Sequence, residues 1–229
     1  MIMANDRSLL ATAYRHVLEA SSEEWSRRLG KGFGLQASQT ELGEIRIMPG
    51  GLCFSDEATF LEAVTTGFAW PRIGPFLSSP VQSLRAVGVL RGMTSAVQGG
   101  CGPEVKAAVG LRAGLAAAEA YAALDLKCVE AMARESSGCV SFTVANTDVS
   151  AWFRMDAGGY RSGSGEPSED ADARVTFRDL EVAVRAVETG LDPLVAPANG
   201  EIEVRGRIPL AEAVGYVADR ASRNLVFPT

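Results

Sequence analysis

The chain has 229 residues, 47% of them hydrophobic and 22% charged, with a formal net charge of −6. That is enough apolar material for one large core or two small ones, and an acidic surface argues against nucleic acid or anionic lipid headgroups as partners. A membrane crossing needs about 20 apolar residues, and the most apolar stretch, Val105 to Leu124, is interrupted by Lys106, Arg112 and Glu119, so no stable membrane insertion is expected.

The N-terminal residues Met1 to Arg7 lack the basic start and apolar core of a signal peptide, which implies a cytoplasmic location. Cys53, Cys101, Cys128 and Cys139 form no C-x-x-C pair and read as free thiols in a reducing compartment. With His16 as the single histidine, a Cys/His metal site is not expected, and no motif implies a cofactor.

The predicted elements begin with a helix. Leu10, Ala13, Tyr14, Val17 and Leu18 fall on one stripe at helical spacing. Ser21-Ser22-Glu23-Glu24 reads as a capping box opening a second, short helix with Trp25 and Leu29. A small β-hairpin near 44–54 follows: Ile45 and Ile47, a turn at Pro49-Gly50-Gly51, then Leu52 and Phe54. Ser55, Asp56 and Glu57 cap a helix bearing Phe60, Leu61 and Val64, closed by Gly67. Pro71, Pro75 and Pro80 break up a loop, and Pro80 fits the first turn of a helix ending at Gly99-Gly100. Pro103 to about Glu135 is an alanine-rich helical region, in which Gly110 and Gly114 allow another helix to approach.

From Gly138 the period changes to two. Val140, Phe142 and Val144 alternate with Ser141, Thr143 and Ala145, and Trp152 to Met155 form a second strand. A short strand near Tyr160, an acidic loop from Gly163 to Asp172 and a strand from Ala173 to Phe177 come next. Asp179 opens a helix with Leu180, Ala183, Val184 and Val187 on one face and Gly190 at its C-cap. A fifth strand, Glu201 to Arg205, leads to a last helix started by Pro209, with Leu210, Val214, Val217 and Ala221 on its stripe. The fold class is therefore α+β. Residues 1–124 form a mainly helical region with the hairpin, and residues 125–229 hold five strands and two amphipathic helices.

Ala173 to Leu180 (ARVTFRDL), the Gly190-Leu-Asp-Pro step, and Gly200 to Ala211 (GEIEVRGRIPLA) are similar to the C-terminal half of a sterol carrier protein 2 (SCP2) domain. The resemblance covers roughly residues 125 to 222, and its motifs specify fold more than chemistry. It implies a five-stranded, mostly antiparallel sheet covered by helices on one face, with a tunnel between sheet and helices that accepts a fatty acyl chain, sterol or isoprenoid. Phe142, Trp152, Phe177, Leu180, Val184, Leu194, Ile208 and Leu210 are the expected lining, with Leu225 and Phe227 at its mouth. The same residues suit a solid core equally well on composition alone. The first half resembles no family, and capping the pocket, forming a homodimer and holding a second site all remain open for it.

Side-chain chemistry has weaker support. Cys101 precedes a helix in a glycine turn, where a small residue is the simpler explanation. His16 falls beside its apolar stripe with no Ser or Asp arrangement around it. Glu166, Glu169, Asp170 and Asp172 fit no calcium-loop spacing. The glycine runs 30–34 and 158–165 are turns rather than phosphate loops, since neither joins a strand to a helix. Gly43 to Ile47 echoes Gly200 to Val204, a pattern that strand–turn–helix units share by chance. Binding, and possible transfer or presentation, of an apolar small molecule or lipid is therefore the expected function. The alternatives are a cyclase- or isomerase-type enzyme drawing acid–base help from Tyr160 or Asp148, and a structural subunit with a closed pocket.

Overall fold

The structure, a computed structural model, describes residues 4–30, 33–66, 71–98 and 100–225. It opens with α1 (Ala4–Arg28), then an antiparallel sheet of β1 (Gln36–Gln39), β2 (Ile45–Met48) and β3 (Leu52–Phe54) in that spatial order. Helices α2 (Glu57–Thr66), α3 (Ile73–Ser78), α4 (Pro80–Val97), α5 (Pro103–Leu124) and α6 (Leu126–Met132) follow. Next come β4 (Gly138–Val144), β5 (Ser150–Asp156), β6 (Gly159–Ser164) and β7 (Ala173–Phe177). The chain ends through α7 (Leu180–Thr189), α8 (Val195–Ala198), β8 (Ile202–Gly206) and α9 (Ile208–Asn224). The larger sheet has the order β6-β5-β4-β7-β8, antiparallel except for the parallel β4–β7 pair.

The expected capping box at Ser21–Glu24 does not start a second helix; α1 runs through it without a break. Within the helix Glu24 takes Arg27 and Arg28 of its own next turn. Across to the next element, Ser22 Oγ accepts the Leu35 N–H at 2.7 Å and Glu19 accepts the Ala37 N–H at 2.6 Å. Those contacts hold β1, a strand whose sequence Gln-Ala-Ser-Gln has no apolar alternation to announce it. The predicted helix from Pro103 to Glu135 divides at Asp125. Its carboxylate caps α6 through the Cys128 N–H and receives Arg220 of α9 at 2.8 and 2.9 Å. The prolines after Pro71 do not exclude helix, because Pro75 lies in the first turn of α3, where no intrahelical donor is needed. The last helix buries Leu210, Val214, Val217 and Ala221 as its periodicity requires.

Helix α5 is the centre of the molecule. It packs on α1 on one side and on β5, β6, α7 and α9 on the other. By length and hydropathy it passes as a membrane span, yet most of it is buried inside the protein, with Ala107, Ala108, Ala116, Ala117, Ala118 and Ala120 shared among its neighbours. Its two glycines differ. A Cβ on Gly110 would lie 2.3 Å from Val187 Cγ1 of α7, whereas one on Gly114 would meet nothing within 4 Å. Gly110→Ala is therefore expected to cost about 1–3 kcal/mol, since the β-branched Val187 cannot rotate away freely. Gly114→Ala is expected to add about 0.5–1 kcal/mol by restricting the unfolded chain. Urea unfolding of both variants checks the opposite signs.

Candidate functional site

The inner face of the larger sheet carries every second residue of its strands. Val140, Phe142 and Val144 of β4 lie opposite Phe153, Ala151 and, on β7, Phe177. These residues, with Met155 and Val175, are buried in the main core together with Leu210 of α9. Among the described residues the two best-formed depressions lie on the surface, not between this face and its helices.

The residues expected to line one pocket separate into four places. Phe142, Phe177 and Leu210 belong to the buried face. Trp152 is on the opposite face, paired with Ser141 and Gly163, its indole lying where a Cβ on Gly163 would stand. Phe153, one residue on, is the core aromatic of β5 and stacks near Tyr160 with ring centroids 6.1 Å apart. The signal was present in the sequence: Arg154 and Asp156 share the phase of Trp152, and a one-residue slip exchanges the faces of a strand. Leu194 and Ile208 are 82% and 49% exposed. Phe227 lies outside the described residues.

Leu180 and Val184 are brought together. They form the floor of an open groove of about 580 Å³ with Pro103, bordered by Glu181, Arg185 and Glu188. Pockets for small ligands commonly measure about 300–1,000 Å³. Asp179 fixes the start of α7 by accepting the Val182 N–H at 2.9 Å, and Gly110 lets Val187 seat against α5 further along. At the rim Arg185 pairs with Glu201 at 2.5 Å, and Lys106 pairs with Glu188. A second depression of about 370 Å³, between α6 and α9, is lined by Lys127, Glu130, Ala131, Arg134 and Tyr216.

At the β6 edge the same inner face turns polar. The glycine-rich run read as a turn is strand β6 through Ser164, and Tyr160, Ser162 and Ser164 continue the row of Met155, Phe153 and Ala151. Buried Arg112 of α5 donates to Ser162 Oγ at 2.5 Å, Ser162 donates to Glu119, and His16 Nδ1 stands 3.4 Å from Glu119. Arg28 of α1 joins Glu24, Glu104 and Asp148 at 3.0, 3.0 and 2.6 Å. Burial pushes the Glu24 carboxyl up, but hydrogen bonds from Arg27 and Arg28 outweigh it and hold it below the ordinary glutamate range.

These contacts bear on the candidate chemical groups. Arg28 holds the Asp148 carboxyl low, and burial raises the Tyr160 phenol, so neither is tuned toward proton transfer near neutral pH. Burial pushes the Cys128 thiol up to about 12. Cys101 is half-buried before α5, and the rise along α5 from Pro103 to Glu119, beside His16, is roughly 24 Å. That distance removes the one histidine as a base for this thiol. In the acidic loop, Glu169 pairs with Arg154 and Asp172 accepts the Cys139 N–H; among the described residues no His/Cys/Asp/Glu group is placed to hold a metal.

No protein-family model and no curated protein matches the chain. Solved structures do resemble it over about half its length. The sterol carrier protein domain 2 of Helicoverpa armigera is 19% identical, covering 51% of this chain and 91% of that one, with a TM-score of 0.37. A crystal structure of sterol carrier protein 2 is 19% identical, covering 50% and 96%, with a TM-score of 0.38. The ubiquinone synthesis protein UbiJ-SCP2 is 22% identical, covering 40% and 77%, with a TM-score of 0.33. All three are named for sterol carrier protein 2, and no ligand or activity of this chain follows from the likeness.

Because the Glu24 carboxyl is held low in the folded protein, the stability it contributes is present above the unfolded value and is lost as pH falls below about 4.5. Glu24→Gln should be less stable at neutral pH and show a flatter acid limb than the parent. Urea midpoints between neutral pH and pH 3 test both features.

Proposed function

We propose that the protein binds an apolar ligand of fatty acyl, sterol or isoprenoid type and carries or presents it, with the α7 groove as the entrance. The apolar floor of that groove is the observation that carries this reading. Pro103, Leu180 and Val184 lie between charged walls, and Leu180 and Val184 are half-buried and packed on the main core. A ligand chain laid along them and under α7 reaches toward Phe177, the last residue of β7, then Val144 beside it on β4 and Phe142 two residues back. Its polar end stays at the rim with Arg185 and Lys106.

The magnitudes favour such binding without any specific polar contact. Removing about a dozen methylenes from water is worth roughly 10 kcal/mol gross, before ordering costs. Residues 125–229 supply the sheet and α7 under this reading, and residues 1–124 supply the helical cover through α1 and α5.

Native mass spectrometry of the protein purified from cells should show a co-bound lipid, and fatty acids should raise its melting temperature. Val184→Asp places a charge on the groove floor and is expected to weaken fatty-acid binding by about tenfold or more. Trp152→Ala, on the far face of the sheet, should bind as the parent does. No thermal shift with fatty acids, sterols or quinones, or unchanged binding by Val184→Asp, would sink the proposal.

A further inference from the structure

The charge of this chain is not evenly spread. From Ala63 to Pro103 the sequence contains Arg72, Arg85 and Arg91 and no carboxylate, in a protein whose net charge is −6. This segment forms α3 and α4. The inward side of α4 is fixed by Ser83, which accepts the Gly51 N–H at 2.9 Å, by buried Ala86, Val89, Met93 and Ala96, and by Gly92, which lies against the ring of Trp25. The outward side carries four large aliphatic side chains among polar ones: Ile73 and Leu77 of α3 and Val81 and Leu84 of α4 are 70%, 66%, 64% and 64% exposed.

Helical spacing places Val81, Leu84, Arg85, Gly88 and Arg91 on one face of α4, and all of them are exposed. Arg72 is engaged by Glu44, while Arg85 and Arg91 have no ion-pair partner among the described residues. The result is a greasy stripe continued by two unpaired guanidinium groups, with no acid in its own segment.

We propose that this α3–α4 face docks the protein peripherally on an anionic lipid bilayer. Side chains of this kind suit the interface between headgroups and acyl chains, where aliphatic groups enter and arginines meet lipid phosphates. A second copy is disfavoured as the cover, because a two-fold contact along this face would gather the Arg85 and Arg91 guanidinium groups of both copies with no carboxylate in the segment to offset them. Nucleic acid would leave the four aliphatic side chains without a role. The expectation of repulsion from anionic headgroups, drawn from net charge, holds for the rest of the surface and not for this face. The proposal does not rest on the ligand reading, since vesicle binding is measured without ligand, and its failure leaves the α7 groove untouched.

Flotation of the full chain with vesicles tests it. With equal parts phosphatidylglycerol and phosphatidylcholine the protein should float, and with phosphatidylcholine alone it should partition about tenfold less. The exposed pairs Leu77→Ser with Leu84→Ser, and Arg85→Glu with Arg91→Glu, should each lower partitioning about tenfold. Arg205→Glu with Arg223→Glu, a charge-matched change elsewhere, should float as the parent does. The proposal is overturned if the parent stays with neither vesicle or if all variants float alike. It is equally overturned if the parent runs as a dimer that Leu77→Ser with Leu84→Ser dissociates, for then a second copy covers the stripe.

Discussion

Everything in this fold depends on a helix that has no free side. Helix α5 lies between α1 and the larger sheet, so its side chains must be small enough for both neighbours to reach its backbone. Alanine answers that requirement over most of its length, and Gly110 answers it where Val187 presses in. A bulkier helix would push α1 from the sheet and open voids along both interfaces, and close-packed interiors tolerate little of either. Arg112 is the exception in this apolar helix. It is buried, and it is retained because Ser162 accepts from it and Glu23, Glu24 and Glu119 supply opposite charge nearby. Such a partnered charge contributes little net stability, but it is costly to misplace, so it specifies how α1, α5 and β6 meet.

The sequence was most legible where a local rule and a tertiary need coincide. Asp179 caps α7, Gly190 takes a positive φ after it, and the α9 stripe is buried, because local backbone chemistry and core packing ask for the same residues there. It was least legible where one side chain served a distant partner. Ser22 looks like part of a helix start, yet from inside α1 it accepts the Leu35 N–H, as Glu19 accepts that of Ala37. Asp125 breaks a continuous alanine-rich pattern because it serves α6 and Arg220 together. Strand β1 has no pattern of its own and exists by pairing with Ile45 and Ile47.

The candidate site was half legible for a similar reason. Composition marked the apolar residues of the second half but could not sort them by face. Trp152 and Phe153 are adjacent, so choosing the larger ring moved the expected lining to the wrong side of β5. The glycines after Gly158 suggested a turn, whereas Gly163 is there because the Trp152 indole covers it within a strand. Leu180 and Val184 were recoverable because a helix repeats its face every turn, and a well-capped helix leaves little doubt about its phase.

Under the proposed function, packing on the inner face governs how an apolar ligand would be accommodated. Phe142, Phe153 and Phe177 already fill the space against α5 and α9, so a chain entering there must replace contacts rather than occupy a void. The gross exchange favours the ligand before its ordering cost is counted. Each aliphatic side chain freed from α7 loses about 1.5–3 kcal/mol of burial, and a chain of about a dozen methylenes regains roughly 10. Two such side chains, Leu180 and Val184, sit where α7 borders the groove and are already half in water, so their displacement costs less than that range. Under this reading α7 is the part of the covered sheet where a ligand would enter at least expense. The helix seats mainly on α5, with Val182 and Ala183 buried and Val187 at Gly110, and only slightly on the strands beneath it.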